Sequence, residues 1–309
     1  MRLRQLILII GSYRKAYTNY LGILVTSYIK RKASYHGNVN LEVRLRDRRT
    51  VVVPYGWAIA YPRLLNIENK NISELSLNWN GLSFKYKGNI VIFDLARFSD
   101  LDGVFFHEDY KFLGVREKDV IDIGANIGDS AIYFSLNGAK RVIALEPYPY
   151  AYSFAERNVK LNDIRNVVLL NAAYGKDSKI IVDREKISST GSILVPSSRG
   201  NEISVLSLKT LINNYNIRNA ALKMDCEGCE YALIDEDDQI FNNIDTIQVE
   251  YHYDYENLVN KFKKCGFDVQ YTRFDGKYEE QTKEQGSSHS SSAENLITGK
   301  GFIYARRSA

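Results

Sequence analysis

From residue 118 onward, short apolar runs alternate with segments of helical pattern, and that alternation restricts the fold more than anything else in the chain. Residues 120–123, 141–145, 167–170, 220–224 and 246–251 read as strands, and residues 129–136 and 151–161 read as helices. Repeated strand–helix units imply a mostly parallel sheet with helices on both faces, because each parallel connection must cross over a face. Two further strands, residues 267–272 and 301–306, are separated by a long polar stretch centred on the Ser-rich residues 286–292. That composition reads as a loop, with His289 solvated rather than catalytic. The fold class expected is α/β: a doubly wound, mostly parallel sheet with a terminal antiparallel strand.

A different pattern precedes it. Residues 41–45, 51–53 and 82–87 alternate polar and apolar side chains as half-buried strands do, and residues 102–110 read as a helix leading into the alternating region. No acidic residue occurs before Glu42. Arg2, Arg4, Arg14, Lys15, Lys30, Arg31 and Lys32 are interleaved there with apolar runs at residues 6–10 and 21–25. Each run falls short of the roughly 20 apolar residues that span a bilayer, and no small-residue cleavage site follows the first. This segment is expected to be helical and to pack on the catalytic domain, with peripheral contact to an anionic membrane surface as the alternative. The organisation expected is a basic helical segment at 1–35, a small β-rich region at 36–100 and a cofactor-binding domain at 101–309.

A net charge of +4 is too mild to argue for nucleic acid, and no such partner is expected. The 22 tyrosines suggest aromatic packing. Three cysteines are too few for a disulfide framework and fit a reducing cytoplasm. Cys226 and Cys229 have CxxC spacing, but no second ligand pair accompanies them, so they read as small, buried positions.

The chemistry concentrates at strand ends. Asp122, Gly124, Ala125, Asn126 and Gly128 follow an apolar strand and open a helix, where glycine lets the backbone turn and a ligand approach. A dinucleotide site would want glycine at the middle position, to make room for a pyrophosphate. Asn126 stands there instead. S-adenosylmethionine has no phosphate and tolerates it. Glu146, at the end of the second strand, is placed to accept hydrogen bonds from both ribose hydroxyls, and Pro147 ends that strand. Asn171 and Ala172 close the third strand, where adenine contacts are expected.

Asp225, Glu227 and Glu230 follow the fourth strand in the pattern Lys-x-Asp-x-Glu-Gly-x-Glu. Taken with Val-Ile-Asp-Ile-Gly-Ala-Asn-Ile-Gly from Val120 and Leu-Glu-Pro from Leu145, this closely resembles the FkbM family of methyltransferases over roughly residues 100–272. Cys226 and Cys229 depart from the Val and Ala often found there, and both swaps keep the side chains small. The resemblance implies a Rossmann-like class I fold, S-adenosylmethionine as cofactor, and O-methylation of a hydroxyl on a sugar, glycan or other small molecule. On this reading Asp122, Gly124, Ala125, Asn126, Gly128, Glu146, Pro147, Asn171, Ala172 and Asp225 contact the cofactor. Asp225, Glu227, Glu250 and His252 are the catalytic candidates, because removing a proton from an alcohol needs a base or a cation. Glu230 is expected to start the next helix and favour its dipole. A Mg²⁺ or Mn²⁺ ion is conceivable among these side chains, but the reading assigns no metal ligands. His107, Glu108 and Tyr110 are candidates for a cofactor lid, with structural packing the equal alternative. Two competing functions are a nucleic-acid methyltransferase, which lacks the Pro-Pro-Tyr type of motif, and a membrane-surface scaffold with an inactive cofactor fold.

Overall fold

The computed structural model describes residues 3–32, 40–78, 81–94, 101–183, 196–274, 278–279 and 300–308. Arg2, Asn80 and the Ser-rich stretch with His289 lie outside them. The chain divides into two units, residues 1–109 with 160–163, and residues 110–159 with 164–309.

The first unit begins with two helices, α1 (Leu3–Ala16) and α2 (Tyr20–Lys32). The hairpin β1 (Asn40–Arg44) and β2 (Thr50–Pro54) follows, then α3 (Tyr55–Leu64). An antiparallel meander comes next: β3 (Ile72–Asn78), β4 (Gly81–Tyr86) and β5 (Asn89–Phe93). Aromatic side chains hold this unit together. Tyr17 and Trp57 are fully buried, and the Tyr17 hydroxyl donates to the Ala58 carbonyl at 3.0 Å. Phe105 meets Phe84 and Phe93 edge-on, a geometry that adds to the area each ring buries. Where a helix is expected at 102–110 there is a single π-helical turn, Asp102–His107, stopped by Glu108 at φ +54°. Glu108 accepts from the Tyr86 hydroxyl at 2.7 Å and from Asn71 at 3.0 Å. On α1 and α2 the side chains of Leu6, Ile7, Leu8, Ile9, Leu21, Val25, Tyr28 and Ile29 are exposed, Leu8 at 71%. Among the described residues no helix is long and apolar enough to cross a membrane.

The second unit is the alternating one. Its elements are β6 (Asp119–Ile123), α4 (Asp129–Leu136), β7 (Arg141–Leu145), α5 (Pro149–Leu161) and β8 (Val167–Leu170). A small side sheet follows from β9 (Ala172–Tyr174), β10 (Ser178–Val182) and β11 (Asn201–Leu206). Then come α6 (Leu208–Tyr215), β12 (Ala220–Met224), β13 (Ile244–Tyr251), α7 (Glu256–Lys264) and β14 (Phe267–Tyr271). A two-residue-wide pair, β15 (Arg273–Phe274) and β16 (Tyr278–Glu279), precedes the last strand, β17 (Gly301–Arg307).

Seven strands form the main sheet in the order β14-β17-β13-β12-β6-β7-β8. From β13 to β8 every pairing is parallel; β17 runs antiparallel to both of its neighbours. Every residue of β6 and β12 is buried, as strands covered on both faces must be. The carboxyl ends of β6, β7, β12 and β13 therefore open on one side of the sheet, where loops can gather polar side chains without breaking the core.

Candidate functional site

The loop after β6 turns on two left-handed glycines. Gly124 has φ +82°, and a Cβ there would lie 1.8 Å from the Asp225 carbonyl oxygen. At Gly128, φ +84°, a Cβ would press on Ala155 of α5 at 3.2 Å. The atoms that a side chain would meet are the protein's own backbone and α5, so packing as well as the turn requires glycine at both positions. Asp122 is equally inward. Its carboxylate is fully buried, accepts from the Ser130 hydroxyl at 2.6 Å, and lies 3.1 Å from Lys223 Nζ. Lys223 in turn donates to the Gly124 carbonyl at 2.8 Å. A lysine in the middle of a wholly buried strand must be paired, and this one ties the loop to β12.

Glu146, 4% exposed, anchors the other side of the loop. Its Oε2 accepts from the Asn126 amide and its Oε1 from the Tyr148 amide, both at 2.9 Å. Asn171 donates from Nδ2 to the carbonyls of Glu146 and Pro147 at 2.9 and 3.1 Å. Ala125 and Ala172 are buried. Asn126, at φ +47°, leaves its buried Oδ1 without a hydrogen-bond partner. The loop thus offers acceptors to a ligand rich in hydroxyl or amino donors, as the adenosine of S-adenosylmethionine is.

Beyond β12 and β13 a second group assembles. The Asp225 amide donates to the Ile123 carbonyl at 3.0 Å, which sets this turn against the glycine loop. Glu227 (φ +57°) and Gly228 (φ +119°) curl the chain so that the Cα atoms of Cys226 and Cys229 stand 5.5 Å apart, and their sulfurs are bonded. The reading of these cysteines as small, buried positions is corrected accordingly: they are bonded to each other, and both are only half-buried. Glu230 stands, as expected, in the first turn of the next helix, the 3-10 segment Cys229–Ile234, but it is fully buried there and accepts from the Gly228 amide (2.8 Å), the His252 amide (3.1 Å) and His252 Nδ1 (2.9 Å).

His252 Nε2 points the other way, 2.9 Å from Glu227 Oε2 and 3.9 Å from Glu250 Oε1. The first is a close ionic contact without hydrogen-bond alignment, since Nε2 makes no hydrogen bond. Lys300 Nζ sits 3.7 Å from both of those carboxylate oxygens, and the Tyr110 hydroxyl reaches Asp225 Oδ2 at 3.5 Å.

Electrostatics separate the roles. Burial raises the Glu250 carboxyl, Asp225 adds to this, and His252 and Lys300 oppose it, leaving it at about 7. Asp225 is raised as well, by burial against the pull of Lys223. His252 resists charge through burial, yet Glu227 and Glu230 carry it up to about 10, so it is an imidazolium at neutral pH. Burial keeps the Tyr110 hydroxyl protonated. Asp225, Glu227, Glu250 and His252, found from sequence, do come together in space. Lys223 and Lys300 join them unforeseen, and Tyr110, expected from sequence only as a lid candidate, reaches Asp225. Lys223 had a signal in its apolar strand; Lys300, beyond the Ser-rich stretch, had none.

The sheet order, with its antiparallel last strand inserted beside β13 and its glycine loop after β6, defines a class I, Rossmann-like methyltransferase fold of the S-adenosylmethionine-binding type. Residues 122–269 match the model of the methyltransferase FkbM domain. Over that span the chain carries a methyltransferase FkbM domain. It is also similar to a Methanocaldococcus jannaschii protein named as an N5-glutamine methyltransferase, 38% identical over 50 residues. That match spans 16% of this chain and 25% of the relative. Among solved structures, M. jannaschii TYW2 in complex with AdoMet is 16% identical with a TM-score of 0.37, covering 77% of this chain and 92% of that one. The precorrin-6y C5,15-methyltransferase of Geobacter metallireducens GS-15 is 14% identical with a TM-score of 0.34, covering 66% and 90%.

Proposed function

We propose that this chain is an S-adenosylmethionine-dependent O-methyltransferase acting on a hydroxyl of a sugar, glycan or other small molecule. The observation that carries the reading is Glu250, a carboxylate held near neutrality between Asp225 and His252 at the end of β13. An alcohol is a poor nucleophile until its proton leaves, and a base that titrates near 7 is suited to take it. Glu146 and the Asn126 Oδ1 would hold the cofactor's donors, and Asp225 would sit toward its reacting end. The cofactor supplies the methyl group as a sulfonium. Glu250 would take the acceptor's proton as that oxygen receives the methyl group, and the cofactor would leave as a neutral thioether. Tyr110, which keeps its proton, would steady Asp225.

Calorimetry and label transfer test this together. S-adenosylmethionine is expected to bind and NAD is not. Glu146→Gln is expected to weaken binding roughly tenfold, the difference between a charged and a neutral acceptor. With tritiated cofactor and a cell extract, label is expected in glycan or small-molecule fractions. Binding of NAD alone, or label confined to RNA or protein, would remove this reading.

The N-terminal helices are read as a peripheral contact with anionic lipid. Eight large apolar side chains stand exposed on α1 and α2, beside the exposed cations Arg14 and Lys15 and in a stretch without acids. That pairing of apolar and basic side chains is what an anionic interface accepts. In flotation assays the full chain is expected to rise with phosphatidylserine vesicles and much less with neutral ones. Leu8→Asp combined with Val25→Asp is expected to stay at the bottom of the gradient; equal flotation of that variant would disprove the contact.

A further inference from the structure

We infer that Asp225, Glu227 and His252 form a binding site for a divalent cation of the Mg²⁺ or Mn²⁺ type. The inference deepens the proposed function but stands on separate observations. One donor atom from each of the three side chains lies within 4.8 Å of the others. In an octahedral shell with bonds of about 2.1 Å, adjacent donors are about 3.0 Å apart and opposite donors about 4.2 Å apart. The 2.9 Å between His252 Nε2 and Glu227 Oε2 is the spacing of two adjacent donors around one ion.

Acidic side chains often gather without a metal, and the imidazole is what distinguishes this group. His252 is 7% exposed, and its Nε2 faces the carboxylates while making no hydrogen bond. Its other nitrogen is locked. Nδ1 meets Glu230 Oε1, and Glu230 is itself held by the amides of Gly228 and His252. A carboxylate that fixes one ring nitrogen and presents the other is the support that metal-binding histidines characteristically have. A cation would take the place of the proton on Nε2, with that proton released to solvent.

The donor set selects the ion. Two carboxylates and one imidazole favour a hard or borderline cation, and the bond between Cys226 and Cys229 withholds the thiolates that would draw softer metals. Lys300, with a half-exposed side chain, now supplies positive charge between Glu227 and Glu250 and can turn out to solvent when an ion arrives. Three protein donors leave octahedral positions open. An acceptor hydroxyl in one of them would lose its proton more readily, with Glu250 alongside to receive it.

Mn²⁺ titration of the full chain, followed by electron paramagnetic resonance, tests the site without any turnover. About one Mn²⁺ per chain is expected, displaceable by Mg²⁺, with nitrogen modulation from the imidazole. His252→Gln is expected to abolish that modulation and weaken Mn²⁺ binding by roughly 10- to 100-fold or more. Thermal melting reports whether this variant folds; if it does not, Glu227→Gln, at a half-buried acid, is expected to show the same weakening. Failure of wild-type protein to bind millimolar Mn²⁺ while still binding S-adenosylmethionine would overturn the site. So would unchanged binding and modulation in a folded His252→Gln. If Mn²⁺ binds with the nitrogen signal and S-adenosylmethionine does not bind, the site stands and the cofactor reading falls.

Discussion

Replacing Lys223 with methionine is expected to lower the free energy of unfolding by about 3–5 kcal/mol, the usual effect of removing one partner from a buried ion pair. Lys223 is 1% exposed and Asp122 is fully buried. With the ammonium gone, Asp122 keeps only the Ser130 hydroxyl, and Asp225 loses the cation that opposes its rise. The carbonyls of Ile123 and Gly124 lose a donor as well. The lysine is held charged because Asp122 and Asp225 outweigh the burial that acts against it. The penalty is thus one of stranded charge, and removing both charges should relieve it. Asp122→Asn with Lys223→Met keeps an acceptor for Ser130 and is expected to recover much of the loss. Urea denaturation of the wild type and both variants measures this. A single variant within about 1 kcal/mol of wild type would show that the pair does not hold the loop.

Much of the second unit was legible because its central strands are buried on both faces. Such strands become continuous apolar runs, so β6, β7 and β12 stand out against the helices between them. The side sheet was not legible. β9 has only three residues, β10 is mostly exposed, and the alternation of β11 is confined to Glu202–Val205. In the first unit β3 escaped notice because its register shifts between Ser73 and Ser76, with Glu74 left-handed, so its side chains do not alternate cleanly. The same division runs through the site. Asp225, Glu227, Glu250 and His252 sit at or just past strand ends, where topology alone brings them near one another. The inward turn of Glu230 depends on two backbone amides and an imidazole arriving from elsewhere, and a glutamate in the first turn of a short helix carries no mark of that. The pairing of Cys226 with Cys229 likewise depends on the left-handed turn at Glu227 and Gly228.

Methyl transfer is expected to rise with pH through about 7, and Glu250→Gln to lower kcat by about 10²- to 10⁴-fold. Glu250 faces Asp225 and Glu227 from the turn after β12, His252 from just past the end of β13, and Lys300 from just before β17. Burial and the two acids raise it; the imidazolium and the ammonium lower it. A base works when deprotonated. Below about pH 7 the protonated fraction grows, and kcat/KM should fall about tenfold for each further pH unit. In the cation-free protein His252, carried to about 10, stays charged through this range, and a bound cation would take the place of its proton; the Tyr110 hydroxyl stays neutral, so neither produces a limb near 7. Glu250→Gln should therefore flatten the acidic limb as well as depress the rate, an effect that mere loss of packing would not have. Glu250→Asp should restore part of the rate and keep a limb. Initial rates with labelled cofactor between about pH 5.5 and 8.5 decide the matter. A wild-type profile without an acidic limb, or a limb that survives Glu250→Gln, would assign the proton to another group, and Asp225, raised by the same burial, would be the carboxyl to examine.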